Sequence, residues 1–411
     1  MEEKKTLLYL PQELITLILL RLPVKSLIRF KCVCKSWFSL ISDTYFANSH
    51  FQLAATTPTR RILLLSAPAA RDSRSIDFEA SLLDDDSDHV SLYPNFMPFQ
   101  SYSRIQIKGS CRGFLLLHCY HKQCWIYESW IYDIYVWNPS TGFHKKIPSS
   151  PFASHSGGIH DYTDLYGFGY DHSTDDYLLV TMSSEISNDP PPPHLEFFSL
   201  RANTWKEIES TQSSWPIGNE PPTSGFLFNG AIHWVAYRRD LIMHVDVAFD
   251  LRERKLFNMH LPDDFVRGFK LNDFGLWVFG EFLSLWAVYY GDVRDKSTLE
   301  IWVMKEYKVD SPWTKTLVLP FGGTTRKIFP PICSTKSGDI IGTNGHTGLE
   351  KYNDQGQLLE YNSYFKFNSK CGWQVALYIE SLLSLPDNEQ AQEEDSNKKN
   401  EVLKYSPLPF S

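Results

Sequence analysis

VWNPSTGFHKKIP (136–148), FFSLRANTWKEIE (197–209), AFDLRERKLFNMHLP (248–262) and IWVMKEYKVDSPWTKTLVLP (301–320) are four versions of one pattern. Each is an aromatic strand, a polar turn and a second strand, three of them closing on a proline. KYNDQGQLLEY (351–361) is a weaker fifth. The anchors Trp137, Phe198, Phe249, Trp302 and Tyr352 lie 61, 51, 53 and 50 residues apart. A second two-strand unit precedes each: SCRGFLLL (110–117), GFGYDHSTDDYLLV (167–180), FLFNGAIHWVAY (226–237), FGEFLSLWAVYY (279–290) and CSTKSGDIIGTN (333–344). Four strands in ~50 residues is the repeat of a β-propeller blade. Residues 60–385 therefore hold about six blades, counting a degenerate unit at 60–105. The tryptophans at blade period (Trp137, Trp205, Trp234, Trp302 and Trp313) read as packing between blades rather than as ligand platforms.

The N-terminal texture differs. In residues 8–46 the apolar positions Leu14, Ile15, Ile18, Leu19 and Leu22 recur at helical spacing behind Pro11, and Pro23 stops the helix. A second set (Leu27, Ile28, Phe30, Val33) and a third (Trp37, Leu40, Ile41) complete a three-helix unit. So small a unit buries too little surface to be self-sufficient, which implies a partner covering its apolar faces. Cys32 and Cys34 are expected at helix–helix contacts, since free cysteine is commonly buried.

The 411-residue chain carries 15% aromatic residues, 21% charged residues and a net charge of −8. An acidic chain is a poor nucleic-acid binder. Residues 1–50 nevertheless carry +3, which leaves −11 on the rest, so the two ends are expected to meet different partners. No stretch reaches the ~20 apolar residues needed to cross a bilayer. The nearest, Leu276 to Tyr290, contains Glu281 and reads as paired strands. The start MEEKKTLLYLPQEL does not read as a signal peptide. The odd count of seven cysteines and the absence of an N-x-[ST] site fit a reducing cytoplasmic or nuclear setting. DDDSD (84–88) reads as a solvated loop, NDPPPPH (188–194) as a polyproline connection, and 386–411 as a disordered acidic tail.

Catalytic signatures are missing. There is no nucleophile elbow, no phosphate loop and no H-E-x-x-H. YGFGYDH (166–172) reads as a strand entering a turn. His118, Cys119, His121 and Cys124 have the spacing of zinc ligands, but side chains alternating across a strand rarely converge on one ion. A hairpin with polar tips is the preferred reading, so no metal or cofactor is expected. His233 beside Trp234 reads as a satisfied core histidine.

The string LPQELITLILLRLPVKSLIRFKCVCKSWFSLISDTYFANSHF (10–51) closely resembles a plant-type F-box. The shared features are Leu10-Pro11, Glu13-Leu14-Ile15, the turn from Leu22 to Leu27, Arg29-Phe30, the run from Lys31 to Trp37, and Leu40-Ile41-Ser42. Thr44 stands where proline is usual. The remainder resembles the F-box-associated, kelch-like domain. That match rests on Gly109-Ser110-Cys111-Arg112-Gly113, Val136-Trp137-Asn138-Pro139, Gly167-Phe168-Gly169-Tyr170-Asp171, Asp175-Asp176-Tyr177, Asn229-Gly230-Ala231-Ile232-His233-Trp234 and Trp302-Val303-Met304-Lys305-Glu306-Tyr307.

The resemblance implies an organisation and a role. Residues 1–9 form an extension, 10–51 the F-box, 60–385 the propeller-like domain and 386–411 the tail. The F-box would bind a Skp-type adaptor, and through it cullin and a RING subunit. The propeller would recruit a protein target for ubiquitination, as a non-catalytic subunit of an SCF-type ligase. Leu10, Pro11, Leu14, Ile15, Ile18, Leu22, Pro23, Val24 and Leu27 are the candidate adaptor contacts, some of which must instead hold the helices together. A scaffold or inhibitor working outside the ligase and a ligand-binding propeller are the alternatives.

Overall fold

The computed structural model describes residues 10–56, 60–66, 73–77, 90–91, 99, 101–121, 132–152, 162–185, 194–208, 224–238, 243–266, 271–289, 297–307, 313–321, 330–343, 348–363 and 373–385. The extension 1–9, the acidic run 84–88, Cys124, most of the polyproline connection and the tail lie outside them. None of the described helices is long and apolar enough to cross a membrane.

Helices come first: α1 (Gln12–Leu19), α2 (Val24–Phe30), α3 (Lys35–Ser42) and α4 (Thr44–Thr56). The sequence suggested three. The fourth is missed because its apolar residues are interrupted by polar ones and form only a weak stripe. Each start has a local cause. Pro11 and Pro23 are the N-cap residues of α1 and α2. Pro23 therefore begins the second helix, while the first has already ended at Leu19. The Cys34 thiol caps α3 by accepting from the Trp37 amide, and Asp43 accepts from the Phe46 amide at the start of α4.

Among the described residues six antiparallel four-stranded sheets follow. Blade 2 is Arg104–Cys111, Phe114–Tyr120, Tyr132–Trp137 and His144–Ile147. Blade 3 is Tyr162–Asp171, Asp176–Glu185, His194–Ser199 and Thr204–Ile208. Blade 4 is Phe226–Phe228, Ala231–Arg238, Met243–Asp250 and Lys255–Met259. Blade 5 is Leu271–Phe279, Phe282–Tyr289, Ser297–Val303 and Thr314–Phe321. Blade 6 is Pro331–Ser334, Ile340–Thr343, Gly348–Tyr352 and Leu358–Ser363. Blade 1 is composite. Arg60–Ser66, Ser73–Asp77 and Val90–Ser91 are completed by Trp373–Ile379, which pairs with Arg60–Ser66 along its whole length. The first strands of blades 2 to 6 and, in blade 1, the closing strand Trp373–Ile379 pack against one another around a closed ring.

The closing strand is fixed on both sides. Within blade 1 the Tyr378 hydroxyl shares a 2.7 Å hydrogen bond with Ser75, which also accepts from Arg61. Towards blade 2 the Gln374 side chain accepts from the Ile107 amide at 2.6 Å and donates to the Ile105 carbonyl at 3.0 Å. Its amide thus stands in for a strand ladder between two blades.

The five repeat anchors all sit at the end of a third strand and are buried. Trp137 opposes His144, Phe198 opposes Trp205 and Phe249 opposes Leu256, the same register three times. Indoles also cross between blades. Trp205 donates to the Pro148 carbonyl, Trp234 to the Tyr166 carbonyl and Trp313 to the His260 carbonyl, at 2.7–2.9 Å. Gly167 and Gly169 permit the close approach of blades 3 and 4. A Cβ on either would fall within 2.6 Å of Ile232 or Leu251.

The helices do not stand apart from the ring. Leu19, Val24, Leu27, Ile41, Phe46 and Phe51 share one buried cluster with Phe114, Leu116, Val136, Phe168 and Tyr177 of blades 2 and 3. Leu382, Leu383 and Leu385, just after the closing strand, complete it. Asn138 donates to the Ser381 and Leu383 carbonyls at 3.0 and 3.2 Å, holding that segment under the helices. The helical unit therefore covers the side of the ring that carries the turns between first and second strands.

Candidate docking surface

The helical unit has two apolar sides. Its inner side is set by burial: Val24 is 2% exposed and Leu27 is fully buried. Ile15 and Leu22 are half-buried against the same cluster. These four belong to the core of the unit. Val24 and Leu27 are thus among the candidates that hold the helices together. Both lie on the first turn of α2, which turns inward onto the ring.

The outer side is open. Leu10 is 58% exposed, Leu14 46%, Leu17 50% and Ile18 50%. Leu14, Leu17 and Ile18 are spaced i, i+3, i+4 and form one face of α1. Pro11 and Pro23 are exposed as well. Leu17 was not among the sequence candidates, because the apolar stripe read through Ile15 and Leu19 passes it by. Val33, Phe38 and Tyr45 are also exposed, and Val33 was expected inside. Arg21, Lys25, Arg29 and Lys35 of the helical unit are exposed, as are the acids Glu13 and Asp43.

Cys32 and Cys34 are exposed, which corrects the expectation that they are buried at helix contacts. A thiol that caps a helix must lie at its end, where solvent reaches it. Cys111, Cys119 and Cys333 of the propeller are buried. Burial pushes the Cys111 thiol up to about 12 and raises Cys119 as well, so neither thiolate forms near neutral pH.

The histidines separate into structural roles. His118 is buried, stacked on Tyr132 at 4.5 Å with its edge to Tyr166 at 4.3 Å. Burial, then the charge of Lys108, drives its pKa well down and keeps the ring neutral. Cys119 faces the opposite side of the strand, in a cluster with Phe99, Trp137 and Tyr378. The two side chains diverge, and among the described residues no three metal-ligating groups converge. His233 donates from Nδ1 to the Asp246 carboxylate at 3.1 Å and accepts at Nε2 from the Tyr307 hydroxyl at 2.9 Å. Burial, then the nearby Asp246 and Asp250, raises the Tyr307 phenol and holds that proton in place. The chain Asp246–His233–Tyr307 is thus a satisfied link between blades 4 and 5.

Asp171, at the end of YGFGYD, organises the turn that follows. It accepts from the Ser173 amide and hydroxyl, from Thr174 and from Arg254 of blade 4. Burial pushes its carboxyl up, but these hydrogen bonds and the Arg254 charge bring it below its ordinary value.

Residues 58–336 match the F-box associated beta propeller domain, and residues 7–48 match the F-box domain. The chain belongs to the F-box-associated β-propeller family. An F-box/kelch-repeat protein of Arabidopsis thaliana is 29% identical over 392 residues, covering 92% of this chain and 96% of that protein. The F-box protein CPR1 of the same plant is 28% identical over 331 residues, with 75% and 73% covered. Solved structures are more distant. A GH93 α-L-arabinofuranosidase of Fusarium graminearum is 12% identical with a TM-score of 0.37, covering 64% of this chain and 84% of its own. The F-box match spans α1, α2, α3 and the start of α4, and the propeller match runs from blade 1 to the first strand of blade 6.

Proposed function

We propose that this F-box protein is a substrate-recognition subunit of an SCF-type ubiquitin ligase. The observation that carries the reading is the outer face of α1. Three large aliphatic side chains at i, i+3, i+4 of one helix stay about half exposed. Covering the half of each that is still exposed would contribute about 1 kcal/mol, so a partner helix packed here gains much of its affinity from a few residues. The excess of basic side chains in the N-terminal region favours an acidic Skp-type adaptor and would speed its association. The cullin and RING subunit would follow through that adaptor.

The propeller would hold the target. Its F-box side is occupied, which leaves the opposite side, where second strands hand over to third strands. On blade 2 that end carries Tyr102, His121, Asp133 and Lys146. The Tyr102 hydroxyl donates to Asp133 at 2.6 Å, and Lys146 pairs with the same carboxylate at 2.9 Å. No step of bond chemistry is assigned to these groups. The protein would act by proximity, presenting target lysines to a charged conjugating enzyme so that transfer becomes effectively intramolecular. Cytoplasm, nucleus or both would be its place of action.

Affinity capture of the full chain from plant cells, with and without proteasome inhibition, tests this. Cullin and adaptor are expected in the capture, along with proteins enriched only when degradation is blocked and the F-box is intact. Capture of the same proteins by a chain with Leu10 and Pro11 replaced by alanine would contradict the reading.

A further inference from the structure

Arg112 occupies an unusual place. It lies in the two-residue turn between the first and second strands of blade 2, with φ at 49°, followed by Gly113 at 84°. Positive φ at both residues is what a two-residue type I′ hairpin turn requires, so the turn sets the backbone. The side chain is held from three directions. The guanidinium lies over the Phe51 ring of α4 at 4.8 Å and over the Tyr170 ring of blade 3 at 4.1 Å. Its Nη2 donates to the Asn48 side chain of α4 at 2.9 Å, and its Nε points to the Tyr177 hydroxyl at 3.4 Å. Gly113 meets the chain leaving the closing strand so closely that a Cβ would stand 2.3 Å from Ser381.

We propose that Arg112 is the pin of a rigid joint that fixes the F-box helices on the propeller. It is a positioning residue, gathering α4, blade 2 and blade 3 onto one planar cation. A guanidinium suits this because it presents two stacking faces and a fork of donors at once, whereas a lysine offers a point charge on a flexible stem. The segment 380–385 is the joint's floor, because it follows directly from the strand that closes the ring. Ring closure and F-box seating are therefore coupled through one stretch of chain. The consequence for ligase geometry rests on the adaptor reading, since a fixed joint fixes the distance from target to conjugating enzyme. The joint itself is a property of this chain alone.

The test uses the full chain with bio-orthogonal spin labels at two exposed positions, Ser39 on α3 and Arg252 on blade 4. The parent chain is expected to give a single narrow distance distribution. Arg112→Gly is the main variant, because glycine accepts the left-handed backbone and leaves the turn intact. It is expected to broaden the distribution several-fold while the propeller melts within a few degrees of the parent. Arg112→Lys is expected to broaden it less. Should Arg112→Gly fail to fold, Asn48→Ala and Phe51→Leu carry the same expectation from the helical side. A distribution as narrow as the parent's in folded variants would overturn the proposal. The readout contains no adaptor, cullin or target, so a loose joint would leave the ligase reading standing, and lost adaptor binding would leave the joint standing.

Discussion

The two regions of this molecule treat large apolar side chains in opposite ways. The propeller hides them: Trp137, Phe198, Phe249 and Trp302 are buried at equivalent places in successive blades. The F-box displays them: Leu10, Leu14, Leu17 and Ile18 stand about half exposed on one helix and the segment that leads into it. The difference is one of size. A closed ring of six sheets has enough interior to bury an aromatic per blade, while four short helices do not. The exposed apolar face of a small unit is therefore an interface awaiting a partner, and the buried aromatics of the large one are scaffold.

Mutations can break that comparison on either side. The largest effect is expected in the ring. Trp137→Ala should cost about 3–5 kcal/mol, read as a lower denaturant midpoint, because it empties a site shared by Phe99 and Cys119. The inner side of the F-box should behave like the ring. Leu27→Ala should lose about 2–5 kcal/mol, and an unaltered midpoint would mean that α2 does not turn inward as described. The link between blades 4 and 5 comes next. Tyr307→Phe leaves His233 without its donor and should cost about 1–3 kcal/mol in thermal unfolding.

The smallest effect concerns pH. The Asp171 carboxyl lies below its ordinary value in the folded state. A depressed carboxylate contributes stability above its unfolded value, and that contribution is lost as pH falls through the folded one. Stability should therefore decline below about pH 4, and the decline should be shallower in Asp171→Asn. An equal slope in the variant would show that Asp171 does not carry it.

Much of the ring was legible in the sequence because its signal is periodic. Aromatic anchors and polar turns recur once per blade, so each repeat corroborates the others. Closure was less legible. Gln374 and Tyr378 contact partners about 270 and 300 residues away, and local pattern says nothing of such pairs. The F-box was recognised as a motif, yet its two sides could not be told apart. Val24 and Leu27 sit among apolar residues on both flanks, and a seven-residue helix is too short for a stripe to declare which flank faces in. Arg112 was visible as part of a Gly-Ser-Cys-Arg-Gly string, but only the folded chain brings the Phe51 and Tyr170 rings to its guanidinium.

The central claim is that the outer face of α1 is free for an adaptor and does not support the fold. Titration of the full chain with a purified plant Skp-type adaptor, by calorimetry, tests it most directly. Leu14→Asp with Ile18→Asp should weaken binding at least a hundredfold while the unfolding midpoint stays that of the parent. Parent-like binding by a folded double variant would contradict the account.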